Sequence, residues 1–141
     1  MRSCIAIFFI LLSTRSFSQN IAAQHWADSV FNTLSDEERI AQLMVLRLST
    51  YDFKTKTAIF YNKEVADAVK KYNMGGICLF QGNPVKQAEV INYLQSIAKT
   101  PIMTCIDAEW GVGMRMFDSV QALPHQMMLG AMQDANIVYQ Y

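Results

Sequence analysis

Ile102-Met103-Thr104-Cys105-Ile106-Asp107-Ala108-Glu109-Trp110-Gly111-Val112-Gly113-Met114-Arg115 is an apolar run that opens after Pro101, ends in a carboxylate and breaks into a glycine-bearing loop. It reads as a buried strand that delivers polar groups at its C-terminal end. Where strands alternate with helices, both sheet faces are covered, so strands are continuous apolar runs and chemistry gathers beyond their carboxyl ends. Asp107 sits at such an end, and two further extended residues would turn Glu109 to the same side. Two carboxylates so placed suit acid/base work, a metal or the hydroxyls of a sugar. Gly111-Val112-Gly113 finds no third glycine at Met116, which excludes a dinucleotide-binding fingerprint.

Upstream, the same alternation repeats. Ser35-Asp36-Glu37-Glu38 is a capping box that starts a helix, and its apolar positions run into a first strand, Val45-Leu46-Arg47-Leu48. Residues 49–61 have no clear period and read as a loop at that strand's active-site end. Asn62 is placed to cap the next helix, with Val65, Val69 and Tyr72 on one face; Asn73 and Gly75-Gly76 stop it. Ile77-Cys78-Leu79-Phe80 is the second strand. Asn83 caps a third helix with Pro84 at its first position, and Val85, Ala88, Ile91, Leu94 and Ala98 are expected inward. Beyond the glycine loop, Asp134 caps a last helix whose Ile137, Val138 and Tyr141 are still apolar. Strand, helix, strand, helix, strand with short connections implies parallel pairing, in an open α/β sheet or in the first β/α units of an eight-stranded (β/α)8 TIM-type barrel. The apolar face left at Tyr141 suggests the N-terminal part of a longer chain.

The N-terminus reads differently. Arg2 precedes the unbroken apolar run from Cys4 to Leu12, and Ser16-Phe17-Ser18 before Gln19 has the small-x-small pattern of a cleavage site. Residues 1–18 are therefore expected to be a secretory signal peptide, residues 19–34 a helical lead-in, and residues 35–141 the truncated barrel. The run is shorter than the roughly 20 apolar residues a membrane span needs, so no stable membrane anchor is expected, and the product should be exported to the periplasm or outside the cell. Without Arg2 and Arg15 the chain has 10 basic against 12 acidic side chains, and its lysines are scattered among acids, which excludes nucleic acid as a partner. Cys78 and Cys105 read as inert core residues. His25 and His125 have no second histidine or cysteine nearby, so neither a metal nor a cofactor is expected.

Gly75-Gly76-Ile77-Cys78-Leu79-Phe80, Asn83, Asp107-x-Glu109-x-Gly111 with Arg115, and Leu123-Pro124 through Leu129-Gly130-Ala131 together resemble the N-terminal domain of glycoside hydrolase family 3. The resemblance spans about Ser35 to Tyr141, and it implies a (β/α)8-type barrel acting on an oligosaccharide or glycoside. The group includes β-N-acetylglucosaminidases and β-glucosidases. For Asp107 the resemblance implies hydrogen bonds to hydroxyls of the sugar in the −1 subsite, and for Arg115 a place lining it. A carboxylate that accepts from hydroxyls and a guanidinium that donates to sugar oxygens are the polar groups a buried saccharide needs.

Two departures from the family pattern matter. The N-acetylglucosaminidase branch carries Asp-Gln-Glu-Gly-Gly where this chain has Asp107-Ala108-Glu109-Trp110-Gly111. Trp110 either offers a sugar a stacking surface or fills a gap under the loop, and Glu109 either contacts substrate or braces Arg115 and the loop amides. The branch's aspartate nucleophile and the histidine acid/base of a Lys-His-Pro-Gly-rich loop match no segment here, so both are expected downstream of Tyr141, along with further C-terminal domains. The expected activity is retaining hydrolysis of terminal β-linked N-acetylhexosamine or glucose, which needs such a pair. On this basis the 141 residues supply substrate contacts and are inactive alone. Two alternatives stay open: a non-catalytic sugar-binding or interaction domain of the same fold, and a metal-dependent barrel hydrolase using Asp107 and Glu109.

Overall fold

The structure is a computed structural model and describes residues 20–140. The export segment expected over residues 1–18 lies outside them. The chain divides after Leu34 into two units. In the first, helix α1 (Ile21–Thr33) is capped by Asn20, whose Oδ1 accepts from the Ala23 amide at 3.3 Å. Among the described residues no helix is long and apolar enough to cross a membrane.

The second unit opens on α2 (Asp36–Ala41) with the expected capping box: Ser35 Oγ accepts from the Glu38 amide at 3.2 Å, and Glu38 Oε2 accepts from the Ser35 amide at 2.8 Å. The other Glu38 oxygen takes the Lys99 ammonium at 2.7 Å, and this contact, more than the Ser35 amide, holds the Glu38 carboxyl below its ordinary pKa. Ser35→Ala should lower stability by about 1 kcal/mol in thermal or urea unfolding, the usual worth of a Ser cap.

A parallel three-stranded sheet follows, in the order β1 (Val45–Arg47), β4 (Gly76–Leu79), β5 (Met103–Ile106). Helix α3 (Asn62–Tyr72) lies between β1 and β4 in the chain, and α4 (Pro84–Ile97) lies between β4 and β5. Two consecutive strand–helix units and a third strand are thus laid down in sequence order, as parallel pairing with helical crossovers requires. The register sets Leu46 against Ile77, Ile77 against Thr104 and Cys78 against Cys105. The core gathers on central β4: Ile77, Leu48 and Leu94 are wholly buried, with Val65, Val69, Leu79, Val90 and Ile102 around them.

The structure corrects six local expectations. Residues 49–61 are not a plain loop: β2 (Ser49–Asp52) and β3 (Thr57–Phe60) form an antiparallel hairpin with Ser49 opposite Phe60 and Asp52 opposite Thr57. Asp52 Oδ1 ties the turn by accepting from the Lys54 amide at 2.8 Å, and Lys56 takes φ 56°, a place where glycine or asparagine would have advertised the turn. Asn62 does not cap α3. It is the first helical residue, the flanking Tyr61 makes no side-chain cap bond, and the Asn62 Oδ1 is buried without a partner.

The buried side of α4 carries Gln87, Val90 and Leu94, while Val85 and Ala88 face solvent. Gln87 takes an inward place because its Nε2 closes the Phe80 carbonyl at the end of β4, at 2.8 Å. β5 is not buried among the described residues either: as the outer member of the three strands present it leaves Met103, Thr104 and Cys105 exposed and only Ile106 half-buried. Cys105 is therefore an exposed free thiol and Cys78 a half-buried one, with burial, reinforced by Cys105 beside it, pushing the Cys78 thiol above its ordinary pKa. Glu109, finally, does not share a side with Asp107 by strand alternation, because the strand ends at Ile106 and Glu109 falls in a turn.

Candidate active site

β5 releases the chain at Asp107, whose amide still bonds the Leu79 carbonyl at 3.3 Å, so the last sheet contact fixes the backbone beneath the carboxylate. The chain then turns through Glu109 and Trp110 to a single 3-10 turn, Val112–Met114, and Arg115 follows it. Gly111 enters that turn at φ 99°, a conformation costly for any residue with a Cβ. Gly113 is buried where a Cβ would stand 2.5 Å from the Gln121 carbonyl oxygen and 2.8 Å from Ala122 Cα. Both obstacles are backbone. Gly113→Ala should displace the loop at a cost of about 1–3 kcal/mol, visible as a lowered Tm together with a raised KM.

The turn brings Arg115 back onto Asp107. Arg115 Nη2 donates to Asp107 Oδ2 at 2.7 Å, and Nε donates to the Asp107 backbone carbonyl, so one guanidinium holds both the side chain and the main chain of the strand end. The Arg115 side chain is 10 % exposed and the Asp107 side chain 39 %. Asp107 Oδ1 has no partner among the described residues and remains an open acceptor on a clamped, partly exposed group. Beneath the pair, the Phe80 ring carries two guanidinium groups, Arg47 Cζ at 4.1 Å and Arg115 Cζ at 4.7 Å from its centre. Arg47 Nε is itself held by the Ser49 carbonyl at 2.7 Å. The three strand ends are therefore tied to one another: Arg47 from β1, Phe80 beyond β4, and Asp107 with Arg115 beyond β5.

Of the four residues proposed from sequence, Asp107 and Arg115 meet, while Glu109 and Trp110 lie in the turn between them. The Glu109 carboxylate is exposed and does not brace Arg115; only its backbone carbonyl is engaged, by Gln126 Nε2. Trp110 is half-buried and stacks on His125, with ring centres 4.3 Å apart and 28° between planes. One indole face is thus occupied by an imidazole from the following loop. Among the described residues no group of three or more His, Cys, Asp or Glu side chains stands where it would hold a metal ion.

Sequence reasoning passed over three residues here: Arg47, Phe80 and Gln87. Arg47 and Phe80 sit at the ends of apolar strands, where they read as one charged exception and one more apolar residue. Position at the carboxyl end of a parallel strand was the available signal. Gln87 had none, since a polar residue inside a helix gives no periodic trace.

A strand-end carboxylate fixed by an arginine, with one oxygen left open, is suited to accept hydrogen bonds from the hydroxyls of a polar ligand. The model of the family described as "Glycosyl hydrolase family 3 N terminal domain" matches residues 35–141, and it identifies hydrolysis of glycosidic bonds as the general activity. No curated protein matches the chain. The parallel β/α units, the Asp107–Arg115 strand end and a match over most of the sequence agree: the chain belongs to glycosyl hydrolase family 3, of which it carries the N-terminal domain.

Proposed function

We propose that this chain forms the substrate-binding part of a retaining β-glycosidase acting on terminal β-linked N-acetylhexosamine or glucose. The observation that carries the proposal is the open Oδ1 of Asp107 on a carboxylate clamped by Arg115 at 2.7 Å. In this reading Asp107 accepts from sugar hydroxyls, and Arg115 both orients it and presents its remaining N–H groups to ring or substituent oxygens. Holding the carboxylate beforehand removes rotamer freedom that binding would otherwise have to quench. Glu109 is a second, exposed acceptor at the rim, and Trp110, backed by His125, supplies an apolar wall beside it.

Retaining hydrolysis also needs a nucleophile and a proton donor on opposite sides of the scissile bond. We propose that residues outside these 141 supply both, that the complete domain is a (β/α)8 barrel, and that residues 1–18 export it. The test is to express the complete coding sequence and assay it with chromogenic β-N-acetylglucosaminide and β-glucoside. Turnover of either, with retention at the anomeric carbon, is the expected result and ranks the two sugars. Saccharide binding without turnover of either would replace the glycosidase with a sugar-binding domain.

A further inference from the structure

The sheet sets two free thiols side by side. β4 and β5 run parallel with Cys78 directly opposite Cys105. Ile77 and Leu79 point into the core, so alternation turns Cys78 to the other face of the sheet, and the register carries Cys105 to that same face. The Cys105 thiol leans across the gap, 3.6 Å from the Ile77 carbonyl oxygen of β4. It also hydrogen-bonds the Cys78 thiol, a contact second only to burial in raising the Cys78 pKa. Neighbouring strands lie about 4.7–4.9 Å apart, inside the span of about 4.4–6.8 Å that separates the Cα atoms of a disulfide.

The pair lies beneath the candidate site. Cys78 comes two residues before Phe80 and Cys105 two residues before Asp107, and Arg47 stands opposite Cys78 on β1. The Asp107 amide, which bonds the Leu79 carbonyl at 3.3 Å, also acts on the Cys78 thiol. The carboxylate and the thiols therefore share one stretch of the ladder.

We propose that Cys78 and Cys105 are an oxidative modification site: a disulfide between them forms and breaks in the native fold, and its closure displaces Asp107. Exposed Cys105 reacts first. Its thiolate attacks one sulfur of an incoming disulfide, R–S–S–R, which gives a mixed disulfide of Cys105 with R and releases one thiolate of R. Cys78 then gives up its proton and attacks the Cys105 sulfur, which releases the second. The cysteine pair loses two electrons and two protons, and the incoming disulfide takes up both as two molecules of R–SH. The co-reactant is thus a disulfide, of a thiol oxidant or of a small thiol, and the export proposed above places the chain where such oxidants persist.

A bridge holds its Cβ atoms about 3.5–4.5 Å apart, closer than the strand spacing, so closure draws β5 toward β4 and carries the Asp107 backbone with it. A misplacement of about 1 Å costs an enzyme about 100-fold, so a fraction of that shift should lower kcat/KM about 3- to 30-fold. The bridge is independent of the glycosidase reading, and its effect on activity rests on that reading.

The full-length protein is treated with glutathione disulfide or with dithiothreitol, and a tryptic digest is mapped without reduction. Oxidation should join peptides 72–86 and 100–115, which carry Cys78 and Cys105, and dithiothreitol should part them. Free thiols in both peptides, or glutathione left on Cys105, overturn the bridge. On the better of the two chromogenic glycosides, kcat/KM should fall as the bridge forms and recover with dithiothreitol, and a bridged enzyme with unchanged kcat/KM overturns the displacement of Asp107. Cys105→Ser, or Cys105→Ala should the first not fold, should ignore glutathione disulfide, and an equal loss of activity in that variant overturns the displacement as well. Failure of the reduced wild type to turn over either glycoside defeats the glycosidase reading instead. Calorimetric titration with the β-linked disaccharides of the two sugars then replaces the rate: affinity weaker by about threefold or more in the bridged form upholds the displacement, and equal or absent binding overturns it. The digest judges the bridge in either case.

Discussion

Asp107→Ala in the full-length protein is expected to lower kcat/KM by about two to four orders of magnitude, because in the proposed function two charge-assisted hydrogen bonds to sugar hydroxyls, each worth about 1.5–3 kcal/mol, disappear. Binding and turnover should weaken together if those bonds are made in both ground and transition states, whereas a fall confined to kcat would place them in the transition state alone. The same exchange strands a guanidinium. Arg115 is 10 % exposed and Asp107 is its one carboxylate partner among the described residues. Removing one partner of a fully buried pair costs about 3–5 kcal/mol; Asp107 is partly solvated, so about 2 kcal/mol is expected here.

Asp107→Asn separates the two effects. Its amide oxygen can still accept from Arg115 Nη2, so stability should largely return while the charge that holds the sugar does not. A folded Asp107→Ala enzyme with unaltered kinetics would remove this residue from the site.

Asn73→Ala should be strongly damaging although it lies outside the site, at about 2–4 kcal/mol. Asn73 ends α3 in the left-handed conformation at φ 57°, ψ 57°. Alanine resists that conformation by about 1 kcal/mol. The asparagine side chain also spans the two crossover units: its Oδ1 accepts from the Thr100 amide at 3.1 Å, and its Nδ2 donates to Thr100 Oγ1 at 2.9 Å. Asn73 and Thr100 are buried at 3 % and 8 % exposure, so an amide left unpaired there costs about 1–3 kcal/mol more. Asn73→Gly should recover the conformational part alone. Urea unfolding of the two variants checks this, and equal stabilities would show that the left-handed backbone contributes nothing.

The pattern of what could be read from sequence follows from which signals are local. The capping box at Ser35, the Asn83 cap, the left-handed stop at Asn73 and the apolar runs of β1 and β4 are all written in neighbouring residues, and each forms where expected. The hairpin was missed because its turn depends on Asp52 bonding two residues ahead and on a lysine at positive φ. Its Thr, Tyr, Phe and Ile content, favourable for strands, was the remaining clue. The apolar run of β5 gave no sign of exposure, because composition does not say how many neighbours a strand has.

At the site, Asp107 and Arg115 were legible as a pair of polar residues eight apart around two glycines. Their direct contact was not, since it depends on the 3-10 turn that folds the chain back. Arg115 engages the Asp107 carboxylate, which leaves Glu109, read from sequence as a substrate contact or a brace for Arg115 and the loop amides, exposed.

The ring of Phe80 has a consequence for how this strand end responds to its surroundings. Two guanidinium groups lie over it, Arg47 and Arg115. Two like charges are held within reach of one another by an electron-rich surface in place of a counter-ion, and among the described residues only Arg115 has a carboxylate of its own. Ionic strength is then the dial that this corner feels: dissolved anions compete for Arg47, over a screening distance of about 8–10 Å, far more readily than for enclosed Arg115. Phe80→Leu keeps the bulk but removes the shared surface, and the arginine that swings away should be Arg47.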